Sequence, residues 1–397
     1  MIHRIVIENF FSIADRQEMD FRVPGNAPDL ACFRDSKAVS GHRLPSVIGI
    51  YGPNASGKST ILRAIATTAK FVRFSFGIPP NDAIPLFHPY AHDDWCNRPT
   101  KIEIEFDGRI AEDAPAAVFR YELHIGHQPN KFGSEVSYES MSYAPKGKFR
   151  SIFERHRQKF IIGRELDLTN GAWPTQFVRS NTSVISSLAY FNHKPSNDFL
   201  SSLTLLQTNV HGVYDDTPDL VRILSVYDGD SELLKGLNRE LSRLDLGLEE
   251  MKIEHTQSSP IAKFKHFRLN REFTLEEESM GTRRFIEIFP HLQYVLDTGG
   301  VAVIDELDTD IHPMLIPELF GWFYDNRCNT KGAQLLFTAH NPALLIELEK
   351  EQVYFAKKPD GEPTQIYGAR QIQGLRREPS LMNKYLSGEL GAVPHIG

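Results

Sequence analysis

The sequence predicts an α/β fold in two parts: a mixed β-sheet with flanking helices, split by an inserted domain that is β-rich first and helical afterwards. Three observations carry this expectation. An apolar run, VIGIY at Val47–Tyr51, leads into the loop GPNASGKS at Gly52–Ser59. The segment Ser59–Ala69 follows, with Ile61, Leu62, Ile65 and Ala69 at helical spacing. A second apolar run, VAVI at Val301–Ile304, ends in the acids of Asp305–Asp308. Between the two, KIEIEF at Lys101–Phe106 and FRYELHI at Phe119–Ile125 alternate cleanly, the mark of half-buried antiparallel strands.

Taken in order, Ile2–Phe10 and Gln17–Val23 read as opening strands, and Val47–Ala69 as a strand–loop–helix unit. SEVSYESMSY and the stretch around Phe149–Ile162 continue the β-rich part. After Asn181 the pattern turns helical through SVISSLAYF, DFLSSLTLL, LVRILSVYD and ELLKGLNRELSRL. From Thr282 to Ala369 helices and strands alternate again. No heptad seam persists beyond about three repeats, so the middle reads as a compact lid and not a coiled-coil arm. The expected boundaries are 1–75 for the first part of the head, 76–260 for the insert and 261–397 for the second part.

The Gly52–Ser59 loop fits Gly-x-x-x-x-Gly-Lys-Ser in the required strand–loop–helix context. A phosphate chain is met by unpaired backbone N–H groups at a helix N-terminus, which requires small residues there. Gly52, Ala55, Ser56 and Gly57 meet that need, with Pro53, Asn54 and Thr60 completing the contact surface. Lys58 supplies positive charge to the β and γ phosphates, and the Ser59 hydroxyl is placed for a magnesium ion.

Two acids at the tip of a strand buried on both faces are costly unless something positive sits there. Asp305 is therefore the expected magnesium ligand and Glu306 the residue that polarises the attacking water. A third strand, QLLFTAH at Gln334–His340, follows after one helix-length connection, Pro313–Asn326, and so is expected beside the Asp-Glu strand. Ligands of open α/β sheets gather at the carboxyl ends of the strands, which makes His340 a candidate sensor of the γ phosphate.

In their order, the phosphate loop, the ESMGT stretch at Glu278–Thr282, the Asp-Glu strand and the histidine resemble the ABC-type P-loop ATPase heads of the SMC, RecF and OLD class. IVIENFFSIADRQEMDF at Ile5–Phe21, DELDTDIHP at Asp305–Pro313, FTAHNP at Phe337–Pro342 and KYLSGELGAVP at Lys384–Pro394 look like the restriction-linked and abortive-infection (Rlo-type) AAA family ATPases within it. The resemblance covers most of the terminal thirds. It implies an ATPase with ATP and Mg2+ as its ligands, working as a head-to-tail homodimer. It also implies that Ser279 and Gly281 form a signature motif that meets the γ phosphate held by the partner. Read from the residues alone, ESMGT also describes a helix cap with Ser279 as N-cap, and its position one helix before the Asp-Glu strand favours the signature role.

Two features depart from the family pattern. Phe11 follows Asn9-Phe10 where a basic residue is usual, and no glutamine is evident to link magnesium to the lid, Gln128 being a weak candidate. His312 stands where transporter-type members have aspartate, as is common in the RecF and OLD branch.

By the same resemblance the protein would belong to a bacterial anti-phage defence cassette. About 57 residues follow His340, too few for the nuclease domain that OLD proteins append, so a separate nuclease or toxin effector is the expected partner. The alternative is a RecF-like clamp that grips DNA. In PKGKFRSIFERHRQKF at Pro145–Phe160, Lys146, Lys148, Arg150, Arg155, Arg157 and Lys159 interleave with Phe149, Phe153 and Phe160. That pattern suits nucleic acid, although a solvated face over buried phenylalanines is favoured. HPYAHDD at His88–Asp94 has metal-like residues with no partner cluster, and His124 and His127 read as structural.

Composition sets the outer limits. The 397 residues, 41% hydrophobic and 24% charged, suit a globular chain with a large core. A net charge of −7 argues against a nucleic-acid footprint over the whole molecule. No run approaches the ~18 apolar residues of a membrane span, and the opening MIHRIVIENF is a charged strand pattern and no signal peptide. Cys32, Cys96 and Cys328 lie far apart, which leads to the expectation of reduced thiols in a cytoplasmic protein.

Overall fold

Five short apolar runs pair in parallel to build the central sheet. Its order is Leu206–Thr208, Val301–Ile304, Gln334–Thr338, Val47–Tyr51 and Val353–Lys357, with Gln365–Gly368 antiparallel at the far edge. The computed structural model describes residues 1–392 except 112, 129–130, 167–176, 204, 211–219, 245–246, 256–259, 360 and 377–379, and gives the backbone alone at 202, 203, 220 and 221. Val393 and Pro394, which end the KYLSGELGAVP stretch, lie outside the described residues.

Both faces of this sheet are buried, and side-chain alternation divides them between two cores. Ile48, Ile50, Val303, Leu336 and Ala356 face one core, where the helix Lys58–Phe74 and the inner face of a seven-stranded antiparallel sheet pack. Val47, Tyr51, Ala302, Ile304, Leu335, Phe337 and Phe355 face the other, filled by Phe285, Phe289 and Leu292 of the helix Met280–Thr298 and Leu319 and Phe323 of the helix Leu315–Tyr324.

The antiparallel sheet runs Lys159–Ile162, Arg150–His156, Lys131–Ala144, Ala117–Gln128, Thr100–Gly108, Ile2–Glu8 and Gln17–Asp20. KIEIEF and FRYELHI pair as their alternation predicts, with Ile102 opposite Leu123 and Ile104 opposite Tyr121. The helical stretches also form, as Val184–Tyr190, Lys194–Leu203, Leu220–Gly229 and Ser231–Arg243.

Strand pairing cuts across the expected boundaries. The opening strand Ile2–Glu8 hydrogen-bonds along Thr100–Gly108, so the sheet is continuous over residue 75. A three-stranded sheet, Leu248–His255, Pro260–His266 and Glu272–Thr274, spans the expected boundary at residue 260. The end of DFLSSLTLL, expected to be helical, instead enters the strand Leu206–Thr208 at the edge of the parallel sheet. Periodicity identifies a strand without naming its partner, and a short apolar run fits helix and strand equally well.

The basic stretch Pro145–Phe160 divides as well. Ile152 and Phe153 are fully buried, and so is Arg155, which the sequence had grouped with the exposed cations. Its guanidinium lies 3.4 Å from the buried Glu139 and donates to the carbonyls of Thr182 (2.6 Å) and Arg179 (2.7 Å). Glu139 also accepts from the Ser183 hydroxyl and the Val184 N–H, which ties the sheet to the helix that starts there. Arg155 is therefore a core residue and takes no part in a nucleic-acid surface.

His127 is structural, and its hydrogen bonds settle its tautomer. Thr100 Oγ1 donates to the Asn9 carbonyl (2.6 Å), so the 2.8 Å contact between His127 Nε2 and Thr100 Oγ1 needs the proton on Nε2. Nδ1 then accepts from the Gly133 N–H (2.9 Å). Protonation would turn two donors toward each other at Nδ1. Burial, with a smaller contribution from His88, pushes the His127 pKa down to about 4. The unfolded chain thus binds a proton that the folded one refuses, and this contribution to stability is fully present above pH ~6.5 and lost as pH falls toward ~4. His127→Gln keeps a donor and an acceptor without titrating. The urea midpoint of the parent is expected to fall more steeply than that of the variant across this window, and parallel declines would refute the assignment.

Candidate nucleotide site at the carboxyl rim of the parallel sheet

The strand Val47–Tyr51 delivers its loop to the N-terminus of the helix Lys58–Phe74, and two glycines there are sterically required. Gly52 has φ of +153°, and a Cβ on it would lie 2.1 Å from the Ala356 carbonyl oxygen. Gly57 has φ of +98°, and a Cβ would meet Thr364 Oγ1 at 2.4 Å. Ala55 also adopts positive φ, +61°. The loop is thereby pressed against the neighbouring strand Val353–Lys357 at Ala356.

Lys58 Nζ donates to the carbonyls of Gly52 (2.8 Å) and Pro53 (2.9 Å). Burial pulls its pKa down, and the acids Asp305, Glu306 and Asp308 act against that. Ser59 Oγ donates to Asp305 Oδ1 at 3.1 Å, across 246 residues of sequence.

Asp305 and Glu306 are held by residues that the motifs did not single out. Thr338 Oγ1 donates to Asp305 Oδ1 (2.5 Å) and accepts from the Glu306 N–H (2.8 Å), so one hydroxyl fixes both acids. The Asn209 side chain brackets the Asp305 backbone, accepting from its N–H (2.8 Å) and donating to its carbonyl (3.0 Å). Asn209 follows the edge strand Leu206–Thr208, and its amide meets the backbone of Asp305 and not the carboxylate. Gln128, the weak sequence candidate for a metal-linked amide, ends a strand of the antiparallel sheet, paired to Lys131. Asp308 Oδ2 accepts from the N–H groups of His340 (2.8 Å) and Asn341 (2.6 Å). His340 Nε2 stands 3.8 Å from Glu306 Oε1.

A cleft of about 560 Å³ gathers the expected residues Asn54, Ala55, Ser56, Gly57, Lys58, Ser59, Thr60, Glu306 and His340, and adds Ser12. Ser12 follows Phe11, the position where the family pattern has a basic residue. The Phe11 ring instead lies under the Arg63 guanidinium of the phosphate-loop helix at 4.8 Å. Ser279 and Gly281 are not among the residues lining the cleft. Ser279 caps the helix Met280–Thr298, its Oγ accepting from the Thr282 N–H (3.1 Å), and this turn lies at the surface with Met280 59% exposed.

The residues present fit a nucleotide triphosphate with magnesium. Ser56 Oγ is buried in the loop without a hydrogen-bond partner, the loop's glycines cannot carry side chains, and Ser59 with Asp305 offers the oxygen donors that a hard divalent cation takes.

The family model described as "AAA domain, putative AbiEii toxin, Type IV TA system" matches residues 47–347, from the first residue of the phosphate-loop strand to beyond His340. The chain belongs to this family. That membership agrees with the resemblance to abortive-infection AAA ATPases and supports a nucleotide-binding ATPase domain.

Among solved structures, similarity is found to the SMC head domain from Thermotoga maritima, 14% identical over 92% of this chain and 98% of that one, with a TM-score of 0.40. An SmcHead bound to the C-winged helix domain of ScpA is 11% identical over 92% and 96%, with a TM-score of 0.45. An Smc head domain with an extended coiled coil, bound to the C-terminal domain of ScpA derived from Pyrococcus furiosus, is 12% identical over 92% and 95%, with a TM-score of 0.42. No curated protein matches the chain. Among the described residues, no helix is long and apolar enough to cross a membrane.

The double use of the Thr338 hydroxyl has a measurable consequence. Thr338→Val keeps the volume, but it leaves the Glu306 N–H without its partner and removes a donor from Asp305. A loss of about 1–3 kcal/mol of unfolding free energy is expected, together with weaker magnesium dependence of nucleotide binding. An unchanged urea midpoint would show that the hydroxyl does not carry these contacts.

Proposed function

We propose that this protein is a magnesium-dependent ATPase that closes head-to-tail around ATP as a homodimer and controls a separate nuclease or toxin effector in bacterial anti-phage defence. One observation carries the ATPase reading: the phosphate loop, Glu306 and His340 line one cleft, and Ser59 touches Asp305 at its edge.

In this reading the loop N–H groups and Lys58 hold the β and γ phosphates, leaving the γ phosphorus open to in-line attack. Ser59 and Asp305 would hold Mg2+, which when bound supplies positive charge to the phosphate oxygens. Glu306 orients the water and accepts its proton as the water oxygen bonds to the γ phosphorus. The bond from that phosphorus to the β–γ bridging oxygen breaks, giving ADP and phosphate. His340 stands beside Glu306 on the γ-phosphate side.

The helix N-terminus at Ser279 to Thr282 suits an anion, and its surface position outside its own cleft supports contact with a nucleotide held by a second copy. ATP that touches both copies favours the closed pair through its differential affinity, and hydrolysis removes that preference. The effector and the defence role rest on the family resemblance and on the family's abortive-infection description. The clamp reading loses one of its cations to the core with Arg155.

Glu306→Gln is expected to lower turnover by a factor on the order of a hundred or more and to accumulate an ATP-bound dimer in size-exclusion chromatography. Lys58→Ala should abolish nucleotide binding, and Ser279→Arg should retain it while preventing dimer closure. Turnover by Glu306→Gln at the parent rate would remove Glu306 from the mechanism. Duplex binding that depends on ATP and is lost when Lys146, Lys148, Arg150 and Arg157 are neutralised would replace the defence reading with a DNA clamp.

A further inference from the structure

The helix capped by Ser279 carries Arg284 at its first turns, and this side chain runs inward, away from the surface where Ser279 lies. The side chain is 15% exposed. One terminal nitrogen donates to the Asp305 carbonyl (3.0 Å) and reaches the Glu306 carbonyl (3.4 Å), while the other donates to Glu287 Oε1 (2.8 Å), on the same helix. The Nε is buried with no hydrogen-bond partner. A planar guanidinium gripping two successive carbonyls on one side and a carboxylate on the other is a stiff connector, where a lysine would be a point charge on a flexible stem.

The two carbonyls belong to unusual backbone. Glu306 has φ of +51°, a conformation that side-chain-bearing residues adopt only when their surroundings impose it. Several contacts hold it here: Thr338 Oγ1 on the Glu306 N–H, the Thr309 N–H on the Glu306 carbonyl (3.1 Å), Asn209 on the Asp305 backbone, and Arg284 on both carbonyls. Only the last comes from the helix that begins at Ser279. The same turn also lies close against the acidic loop, since a Cβ on Gly281 would lie 2.7 Å from the Asp310 carbonyl oxygen.

We infer that Arg284 is a positioning residue that couples the two nucleotide sites of the dimer: it transmits a shift of the Ser279 helix, caused by the partner's γ phosphate, to the backbone that aims Glu306 at the subunit's own nucleotide. This rests on the proposed two-copy ATPase and adds the route by which one site governs the other. Arg284 is not among the residues lining the cleft, and acts through the carbonyls of Asp305 and Glu306. Glu306 would therefore reach its working geometry only when Ser279 is engaged, so that hydrolysis at either site requires both to be filled.

The test measures turnover against ATP concentration, nucleotide affinity and ATP-dependent dimer formation for the full-length parent, Arg284→Gln and Arg284→Lys, with thermal melts alongside. In Arg284→Gln, nucleotide affinity and dimer formation should remain within about two-fold of the parent. Its kcat should fall on the order of ten-fold or more, the cost of a misaimed catalytic group, and its Hill coefficient should drop to 1. Arg284→Lys, with its charge retained, should recover part of the rate and less of the cooperativity. A folded Arg284→Gln with unchanged kcat and Hill coefficient overturns the inference, as does one that has lost nucleotide binding. Failure of both variants to fold also overturns it, since a positioning role requires a side chain removable from a folded subunit. If the parent itself neither hydrolyses ATP nor dimerises with it, the underlying ATPase reading fails instead, and the two results are told apart in the parent alone.

Discussion

The rest of the site depends on the Asp305 carboxylate at the end of a strand buried on both faces. An anion there is costly unless its surroundings supply donors, and the fold supplies them from several directions. Ser59 comes from the phosphate-loop helix and Thr338 from the neighbouring strand, both on the carboxylate, while Asn209 and Arg284 hold the backbone of the same residue from the sheet edge and from the helix after Ser279. Each donor comes from a different element, so fixing this residue fixes the relative positions of four parts of the chain. The phosphate loop cannot move relative to the Asp-Glu strand without breaking the Ser59 contact.

That arrangement requires a rigid support, and the two cores provide it. Because alternate residues of the parallel strands point into different cores, the sheet is a wall packed from both sides, with the phosphate-loop helix against one face and the helix Met280–Thr298 against the other. At the carboxyl rim elements from both sides meet, and the cleft forms there. Arg284 crosses this rim from the second face to the backbone of the acids.

Much of this was legible in the sequence, for physical reasons that also mark where legibility ended. The Gly52–Ser59 loop was readable because phosphate geometry demands glycine at fixed positions, and Gly52 and Gly57 have no room for a side chain. The adjacency of the Asp-Glu and His340 strands followed from a connection of one helix, and their parallel register bears it out. Asn209 and Thr338 were not readable: they act through single hydrogen bonds over sequence separations of 96 and 32 residues, and asparagine and threonine at strand ends are common for many reasons. Arg155 misled because alternation with phenylalanine describes a stacking surface as well as a core with one buried ion pair. Strand partners were hidden for the same reason, since Ile2–Glu8 carries no local sign of the 100-residue step to Thr100–Gly108.

Of the ten described non-glycine residues with positive φ, Asn9, Phe11, Ala55 and Glu306 lie around this rim. Each such residue costs about 1–2 kcal/mol, and the compensating contacts are visible. Asn9 donates from its side-chain amide to the carbonyls of Trp95 and Arg98 and accepts from the Tyr90 N–H, which sets the turn that brings Phe11 beneath Arg63 and Ser12 beside Thr60. Glu306 is held through Thr338 and Arg284. Strain in these positions is tolerated because the surrounding hydrogen bonds hold the backbone, and a shift of one of them re-aims the Glu306 carboxylate. In the proposed ATPase, a contact whose removal releases that conformation would act on turnover from outside the cleft, and among the described residues Arg284 is the contact that reaches Glu306 from the helix beginning at Ser279.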